Sequence, residues 1–184
     1  MDNLKVWINI LKSDAARYGA KSVPAILKML FSNGGFSAVF IYRIQSALTN
    51  LRLIMLAKIV SRLNLTLNGF DAAIGSEIGS GFIVTHPVGI VLGNQFKAGD
   101  NLVLMPHVVV GQKGFSSSSN DLGNPKLGNN IRIGAGSMIL GNISLGDNSI
   151  VAAGTLLTRD LAENCYAFGN PAQIKKIADK TDFD

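Results

Sequence analysis

Apolar residues in the second part of the chain recur at every sixth position. One series begins at Ile78 and ends at Val108, and a second begins at Leu127 and ends at Leu157. Because only 47% of the chain is hydrophobic, twelve apolar residues in succession are not expected by chance. The twelve positions are Ile78, Val84, Ile90, Phe96, Leu102, Val108, Leu127, Ile133, Ile139, Leu145, Val151 and Leu157.

A period of six residues predicts a parallel β-helix. An α-helix repeats about every 3.6 residues, and hairpin strands recur about every 8–12 residues, so neither fits. In a β-helix each hexad supplies one short strand and one tight turn, and three hexads close a triangular coil around aliphatic side chains. Glycine directly follows the apolar residue in four hexads, which suits a corner. We therefore predict a mainly β fold, with the β-helix over residues 66–168 and a closing segment over 169–184.

The six-residue frame has one visible interruption. Val108 and Leu127 are separated by 19 residues, which is not a multiple of six. The sequence between them, "GQKGFSSSSNDLGNPK", is too polar and too rich in serine and glycine to form a strand. We predict that residues 112–126 leave the coil as a loop, and long loops on rigid scaffolds commonly line a functional site.

The first part of the chain has a helical period instead. Between residues 4 and 65, apolar side chains recur at steps of three and four with basic residues between them. Pro24 stands where a helix can begin, and Asn33-Gly34-Gly35 where one ends. We predict a helical N-terminal region over residues 1–65.

The positive charge is concentrated in that helical region. The chain has a net charge of +5, and residues 1–65 carry nine Lys or Arg against two Asp. The pattern predicts helices with a solvated basic face that pack on the coil, and it is also compatible with a peripheral contact with anionic lipid. A nucleic-acid partner is not expected, because the basic residues alternate with aliphatic ones and few aromatic side chains accompany them.

Composition also bears on compartment and on cysteine or metal chemistry. The uncharged segment 78–96 has 19 residues, but its four glycines and Pro87 do not suit a membrane span. Charges near the start of the chain are too closely spaced for a signal peptide. Cys165 is the only cysteine, so it is interpreted as a small buried residue, without a disulfide or a metal site. We expect a cytoplasmic protein, with a peripheral place at the inner face of the membrane as an extension of that expectation.

Three segments of the sequence resemble a known family. The hexad pattern with its protruding loop and the ending "GNPAQIKKI" resemble the hexapeptide-repeat acyltransferases. The stretches "DAAIGSEIGSGFIVTHPVGIVLG" and "NPKLGNNIRIGAGSMILGNISLGDNSIVAAGTLLTRDL" are similar to the serine acetyltransferase branch and to the related polysaccharide O-acetyltransferases. The resemblance covers residues 66–178. It implies a left-handed parallel β-helix, acetyl-coenzyme A (acetyl-CoA) as co-substrate, and a homotrimer whose sites lie between neighbouring subunits.

The same resemblance implies a catalytic histidine. His86 lies in the "H-x-x-G" where this family places its general base, and an imidazole can take the proton of an attacking hydroxyl. Asp71, fifteen residues earlier, stands where serine acetyltransferases have the aspartate that orients this base. Thr85 departs from the acidic residue that those enzymes often have directly before the histidine.

Two further positions bear on the acceptor. His107 is the second of two histidines and is expected near the same corner of the coil, as a substrate contact or as a structural residue. Polysaccharide enzymes often have a histidine one position earlier, where this chain has Pro106. Asn124 stands in "N-P-K-L" where serine acetyltransferases use a second histidine for the amino-acid substrate. An asparagine can donate and accept hydrogen bonds but cannot act as a base.

The resemblance also implies a coenzyme A surface on the later coils. Small residues let a pantetheine arm approach the backbone, and cations neutralise the nucleotide phosphates. By motif position these residues are Ala135, Ala153, Thr158, Arg159, Lys175 and Lys176.

The sequence leaves three functions open. Asn124 and the short helical region favour an O-acetyltransferase that modifies a sugar hydroxyl of a surface polysaccharide or of its precursor, with a glycan or a lipid-linked sugar as acceptor. The alternative is a serine O-acetyltransferase of cysteine biosynthesis. The third is a β-helix scaffold or binding module without catalysis.

Overall fold

A computed structural model describes residues 2–113 and 123–177, with side chains from Lys5 onward. Four helices precede the β-structure, and the last of them ends three residues beyond the predicted helical region. They are α1 (Asp2–Arg17), α2 (Val23–Ser32), α3 (Gly34–Asn50) and α4 (Ile54–Asn68). α2 begins beside Pro24, as predicted, and Asn33 both ends α2 and caps the start of α3 through its side chain. No single helix among the described residues is long and apolar enough to cross a membrane, whereas α2 and α3 pass that test only jointly and are bent by 110° where they meet.

The rest of the described chain is a three-sided parallel β-helix. Its strands are β1 (Phe70–Ala72), β2 (Glu77–Ile78), β3 (Ile83–Val84), β4 (Ile90–Leu92), β5 (Lys97–Ala98), β6 (Val103–Leu104), β7 (Val109–Gly111), β8 (Lys126–Leu127), β9 (Arg132–Ile133), β10 (Met138–Leu140), β11 (Ser144–Leu145), β12 (Ile150–Val151), β13 (Leu156–Leu157), β14 (Cys165–Phe168) and β15 (Gln173–Lys176). Sheet A has the order β1-β4-β7-β10-β13, sheet B has β2-β5-β8-β11, and sheet C has β3-β6-β9-β12-β14-β15. Every pairing is parallel except that of β14 with β15, where the chain folds back and closes the coil.

Aliphatic side chains fill the interior of the β-helix, as the hexad pattern predicts. All twelve predicted positions are buried, each with 7% or less of its surface exposed. Strand register stacks the inward residues in columns. One column in each sheet is Ala72-Leu92-Val110-Ile139-Leu157, Ile78-Ala98-Leu127-Leu145, and Val84-Leu104-Ile133-Val151-Ala167. Cys165 is also buried, as predicted.

The register corrects the predicted frame at one place. Val84 pairs with Leu104, twenty residues further on, whereas Leu92 pairs with Val110, eighteen further on. Two extra residues therefore lie between Val84 and Leu92, and the prediction of a single interruption is wrong. The predicted positions are buried despite this shift. Each strand segment has two inward positions two residues apart, so a shift of two residues moves the frame from one inward position to the other.

A buried ion pair attaches the helices to the first coil. Arg43 of α3 contacts Asp14 of α1, with Nε 2.7 Å from a carboxylate oxygen, and both side chains are almost inaccessible to solvent. The guanidinium also donates to the carbonyl oxygens of Ile78 and Gly79, both at 2.6 Å. Asp14 accepts a further hydrogen bond of 2.8 Å from the backbone of Phe82. These contacts join two helices to the turn before β3.

Candidate active site

His86 lies in an enlarged turn between β3 and β4. This turn, residues 85–89, joins sheet C to sheet A and has five residues. By strand register Ile90 corresponds to Val108, so the equivalent turn of the next coil is residues 105–107 and has three. The two extra residues push the turn outward, and the His86 side chain is exposed. The imidazole makes no hydrogen bond with another described residue. The described residues therefore leave the His86 imidazole without a hydrogen-bond partner.

The N-terminal helices hold the strand that leads into this turn. The Tyr18 hydroxyl donates to the carbonyl oxygen of Val84 at 2.9 Å and accepts from its backbone N–H at 2.7 Å. Burial raises the pKa of Tyr18, so the hydroxyl keeps the proton that it donates. Gly35, in the first turn of α3, lies so close that a Cβ atom there would overlap the Val84 carbonyl oxygen. Neither contact can be read from the sequence, which indicates only a helix stop at the Gly34-Gly35 pair.

His107 packs against the other side of the same turn. Four glycines, Gly69, Gly89, Gly136 and Gly154, share its corner of the coil with φ between 67° and 72°, and His107 adopts the same left-handed conformation at 59°. Its ring covers Gly89, where a Cβ atom would overlap the Nδ1 atom of His107. The predicted proximity of His107 to the His86 corner is therefore present, and its contact with a substrate stays a prediction.

Asp71 lies beside the His86 turn but does not bond to it. It sits on the outer side of β1, opposite Val91 of β4, the strand that follows the turn. The backbone N–H of Gly89 donates to Gly69 at 3.0 Å, which fixes the turn against the start of β1. Within the described part of the chain, Asp71 and His86 share no hydrogen bond. The orienting role of Asp71 stays a prediction.

In the coils that follow, small residues occupy the position equivalent to His86. Pro106, Ala135 and Ala153 each follow an inward residue of sheet C by two positions, as His86 follows Val84. Backbone hydrogen bonds of 2.8–2.9 Å join successive coils at this corner. Cβ atoms added at Gly136 and Gly154 would meet nothing within 4 Å, so the surface there is open. The coenzyme A contact predicted for Ala135 and Ala153 stays a prediction.

The predicted phosphate-binding residues lie on the last coil, on two of its faces. Arg159 follows β13 of sheet A and donates to the carbonyl oxygen of Ala172 at 2.9 Å, which joins it to the closing segment. Thr158, beside it, is half-buried. Lys175 and Lys176 belong to β15 of sheet C, and the Lys175 ammonium lies 5.3 Å from the Phe168 ring centroid. The role of these residues in binding the coenzyme A phosphates stays a prediction.

Asn124 lies at the opposite edge of sheet A from His86. Its side-chain oxygen is buried, has no hydrogen-bond partner in the described residues, and lies 2.8 Å from the position of a Cβ atom on Gly93. Since Gly93 directly follows β4 and His86 precedes it, one chain does not bring Asn124 and His86 together. Asn124 lines a polar groove of about 530 Å³ with Glu77, Lys97 and Lys126 among its walls.

An apolar row crosses sheet A between these two edges. Val91, Val109, Met138 and Leu156 pair in register on its outer side, and Val91 and Met138 are 40% and 39% exposed. Val88, in the His86 turn, is 56% exposed. Large exposed apolar patches on folded proteins often mark contact surfaces. This patch adjoins His86.

Comparison with known proteins identifies the family. The family model described as bacterial transferase hexapeptide (six repeats) matches residues 124–159. A serine acetyltransferase of Helicobacter pylori is 30% identical over 139 residues, which are 76% of this chain and 80% of that protein. The chain belongs to the hexapeptide-repeat acyltransferases of the serine acetyltransferase type. Its β-helix is the left-handed coil of that family.

Other members of this family extend beyond the present chain. A serine acetyltransferase of Synechococcus elongatus is 31% identical over 148 residues, and the chain spans 80% of its own length but only 59% of that protein. The crystal structure of the Neisseria gonorrhoeae serine acetyltransferase superposes with a TM-score of 0.83 at 25% identity, over 95% of this chain and 67% of that one. Because the superposition covers nearly the whole chain, the helices of this hexapeptide-repeat acyltransferase belong to the shared fold as well as its coil.

Substituting Gly35 tests the support of the His86 turn. We expect Gly35→Ala to destabilise the protein by about 1–3 kcal/mol, because the added methyl group overlaps the Val84 carbonyl and displaces α3 or the strand. Gly34→Ala is the matched control, since its Cβ atom would lie 3.8 Å from the Pro87 ring, an ordinary contact. Thermal unfolding of the two variants measures the difference. Equal stabilities would contradict the close approach.

Proposed function

We propose that this chain is an acetyl-CoA-dependent O-acetyltransferase in which His86 is the general base. The observation that carries the proposal is the enlarged turn, which exposes an imidazole without a hydrogen-bond partner among the described residues. Small residues occupy the equivalent position in the coils that follow. Family membership supports the same chemistry. A buried structural histidine would instead have hydrogen-bond partners for its ring nitrogens.

The proposed reaction is a direct transfer. Acetyl-CoA supplies the activated thioester when it is bound. His86 takes the proton of the acceptor hydroxyl while that oxygen bonds to the thioester carbonyl carbon. When the carbon–sulfur bond breaks, the imidazolium returns the proton to the departing thiolate, so no acetylated enzyme forms. Ala135 and Ala153 would lie along the pantetheine arm, and Arg159 and the two lysines of β15 near the phosphates.

The geometry of a single chain favours a site shared between subunits. His86 and Asn124 lie at opposite edges of sheet A, and the exposed apolar row lies between them. If this row packs against a neighbouring copy, the Asn124 edge of one subunit approaches the His86 edge of the next. A homotrimer closes such a contact around a three-fold axis without leaving an unpaired face. We include the homotrimer in the proposal on this ground.

The relatives favour L-serine as the acceptor. The cyanobacterial, Helicobacter and Neisseria proteins named above are all serine acetyltransferases, and this comparison supports the alternative of the sequence analysis better than its preferred sugar acceptor. A sugar hydroxyl is retained as the second candidate for one reason. Serine acetyltransferases use a histidine at the position of Asn124 to contact their amino-acid substrate. Asn124 offers a neutral amide there, so the side chain that would contact L-serine is a different one.

An acceptor assay distinguishes these two candidates. The wild-type protein is incubated with acetyl-CoA and either L-serine or a panel of nucleotide sugars and glycosides, and thiol release is recorded. We expect L-serine to give the higher kcat/KM. Turnover on a sugar that exceeds turnover on L-serine would transfer the proposal to the second candidate. Thiol release that no hydroxyl acceptor accelerates would overturn both.

A further inference from the structure

α4 exposes a continuous apolar face that nothing in the described chain covers. Met55, Ile59, Leu63 and Leu67 are spaced by four residues and are 71%, 55%, 51% and 70% exposed. The opposite side of α4 carries the buried Ala57 and Asn64, and the Asn64 amide donates to a carbonyl oxygen of α3 at 3.0 Å. Because side chains four residues apart share one side of a helix, the four exposed residues form a single stripe.

Basic side chains flank this stripe. Lys58 and Arg62 join Met55, Ile59 and Leu63 around a shallow, almost wholly apolar groove of about 310 Å³. We call Met55, Lys58, Ile59, Arg62, Leu63 and Leu67 the α4 face. Long basic side chains beside an apolar stripe can keep their charge at a polar boundary while the stripe enters an apolar medium.

The surrounding sequence lacks any acidic residue. Residues 15–70 contain seven Lys or Arg and no Asp or Glu. Arg43 is buried in its ion pair with Asp14, and Arg17 donates a hydrogen bond to the Gly81 carbonyl oxygen. The remaining five cations are exposed side chains on or beside α2 and α4. The helical part of the surface is therefore apolar and cationic at once.

These features select among occupants of the α4 face. A second copy packed face to face about a two-fold axis would bring Lys58 and Arg62 against the same cations, and the groove is lined by no carboxylate to pair with them. An anionic lipid surface offers an apolar layer for the stripe and negative headgroups for the flanking cations. α2 also exposes apolar side chains, since Val23, Leu27 and Phe31 are 70%, 54% and 93% exposed.

We propose that the α4 face docks the protein on an anionic lipid bilayer. The helix lies in the plane of the interface with Met55, Ile59 and Leu63 below the headgroups, and it does not cross the membrane. Docking does not depend on acetyl transfer. It would hold the β-helix at the membrane surface.

Vesicle sedimentation tests this proposal with the full chain. We use vesicles of phosphatidylcholine alone and of phosphatidylcholine with 30 mol% phosphatidylglycerol, at ionic strengths of 0.1 and 1 M. The wild-type protein is expected to sediment with the anionic vesicles at 0.1 M. Binding should fall at least tenfold at 1 M, where the screening length shrinks from about 10 Å to about 3 Å.

Two variants separate the apolar and the charged contributions. Replacing Lys58 and Arg62 by glutamine is expected to lower the partition coefficient about 30-fold, since each cation near an anionic surface contributes about 1 kcal/mol. The matched control, Lys97→Gln with Arg132→Gln, removes the same charge from the exposed β-helix and should change binding less than threefold. Ile59→Ser removes one residue of the stripe and should also weaken binding.

The proposal is overturned by either of two results. One is wild-type protein that stays in the supernatant with both kinds of vesicle. The other is a reduction by the control pair that equals the reduction by the Lys58 and Arg62 pair, because binding would then reflect net charge alone. Analytical ultracentrifugation without lipid identifies the competing occupant. If the protein forms larger oligomers that Ile59→Ser abolishes, and it does not bind vesicles, a second copy of the chain covers the α4 face.

Discussion

Replacing His86 by alanine is expected to lower kcat/KM for acetyl transfer by about 10²–10⁴-fold, the usual contribution of a general base. The same change should alter the free energy of unfolding by less than about 0.5 kcal/mol, because the side chain is exposed and unbonded. Loss of activity with unchanged stability would separate catalysis from folding. Initial rates of thiol release and thermal unfolding measure the two quantities.

Thr85→Ala is the matched control for that experiment. Thr85 is also exposed in the enlarged turn, and its hydroxyl makes only a long contact of 3.4 Å with the Leu104 carbonyl oxygen. It should therefore keep activity within a few fold of the wild-type value. His86→Ala protein with wild-type kcat/KM would contradict the role of His86, whatever the behaviour of Thr85→Ala.

Replacing Arg43 by methionine is expected to destabilise the fold by about 3–5 kcal/mol, because it leaves the Asp14 carboxylate buried without its cation. The guanidinium hydrogen bonds to Ile78 and Gly79 are lost as well. Since Asp14 also holds the Phe82 backbone, four residues before His86, activity should fall with stability. Denaturant unfolding and kcat/KM of the same preparation measure both effects.

An exposed ion pair provides the comparison for Arg43. Lys97 and Glu77 approach to 3.1 Å, and their side chains are 53% and 67% exposed. Lys97→Gln should cost no more than about 1 kcal/mol, because solvent screens an exposed pair. A double substitution of Asp14 and Arg43 should cost less than the sum of the single ones. Equal losses for Arg43→Met and Lys97→Gln would show that burial does not govern the pair.

The β-helix could be predicted because its signal is local and repeated. Every hexad has an apolar residue at the same position, so twelve positions support one conclusion, and all of them are buried. The enlarged turn at His86 could not be recognised, because Val84 and Ile90 keep the six-residue spacing across it. Only the pairing of β3 with β6 and of β4 with β7 shows the two extra residues.

Contacts between distant parts of the chain could not be read from the sequence. Tyr18 bonds to Val84 across 66 residues, and Arg43 meets Asp14 across 29. No spacing rule connects such pairs, since each depends on how α1 and α3 cross the first coil. Gly35 carried a signal, an extra glycine at a helix start, but its purpose appears only once α3 lies against Val84.

The candidate site was predictable where it follows the repeat. The His86 corner and the small residues below it are positions of the hexad, so motif placement located them together. The acceptor is a different problem, since Asn124 lies at the far edge of sheet A and meets His86 only if another subunit supplies it. The sequence argument for a sugar depended on this one residue, whereas the named relatives are serine acetyltransferases.

Transfer of an isotopically labelled acetyl group tests the central claim most directly. The wild-type protein is incubated with acetyl-CoA labelled in the acetyl group, with L-serine or a sugar as acceptor, and all products are resolved by mass spectrometry. We predict labelled acetyl in an ester on the acceptor hydroxyl, an equal amount of free coenzyme A, and unlabelled protein. Labelled protein, or coenzyme A formed without any acetylated acceptor, would contradict direct O-acetyl transfer by His86.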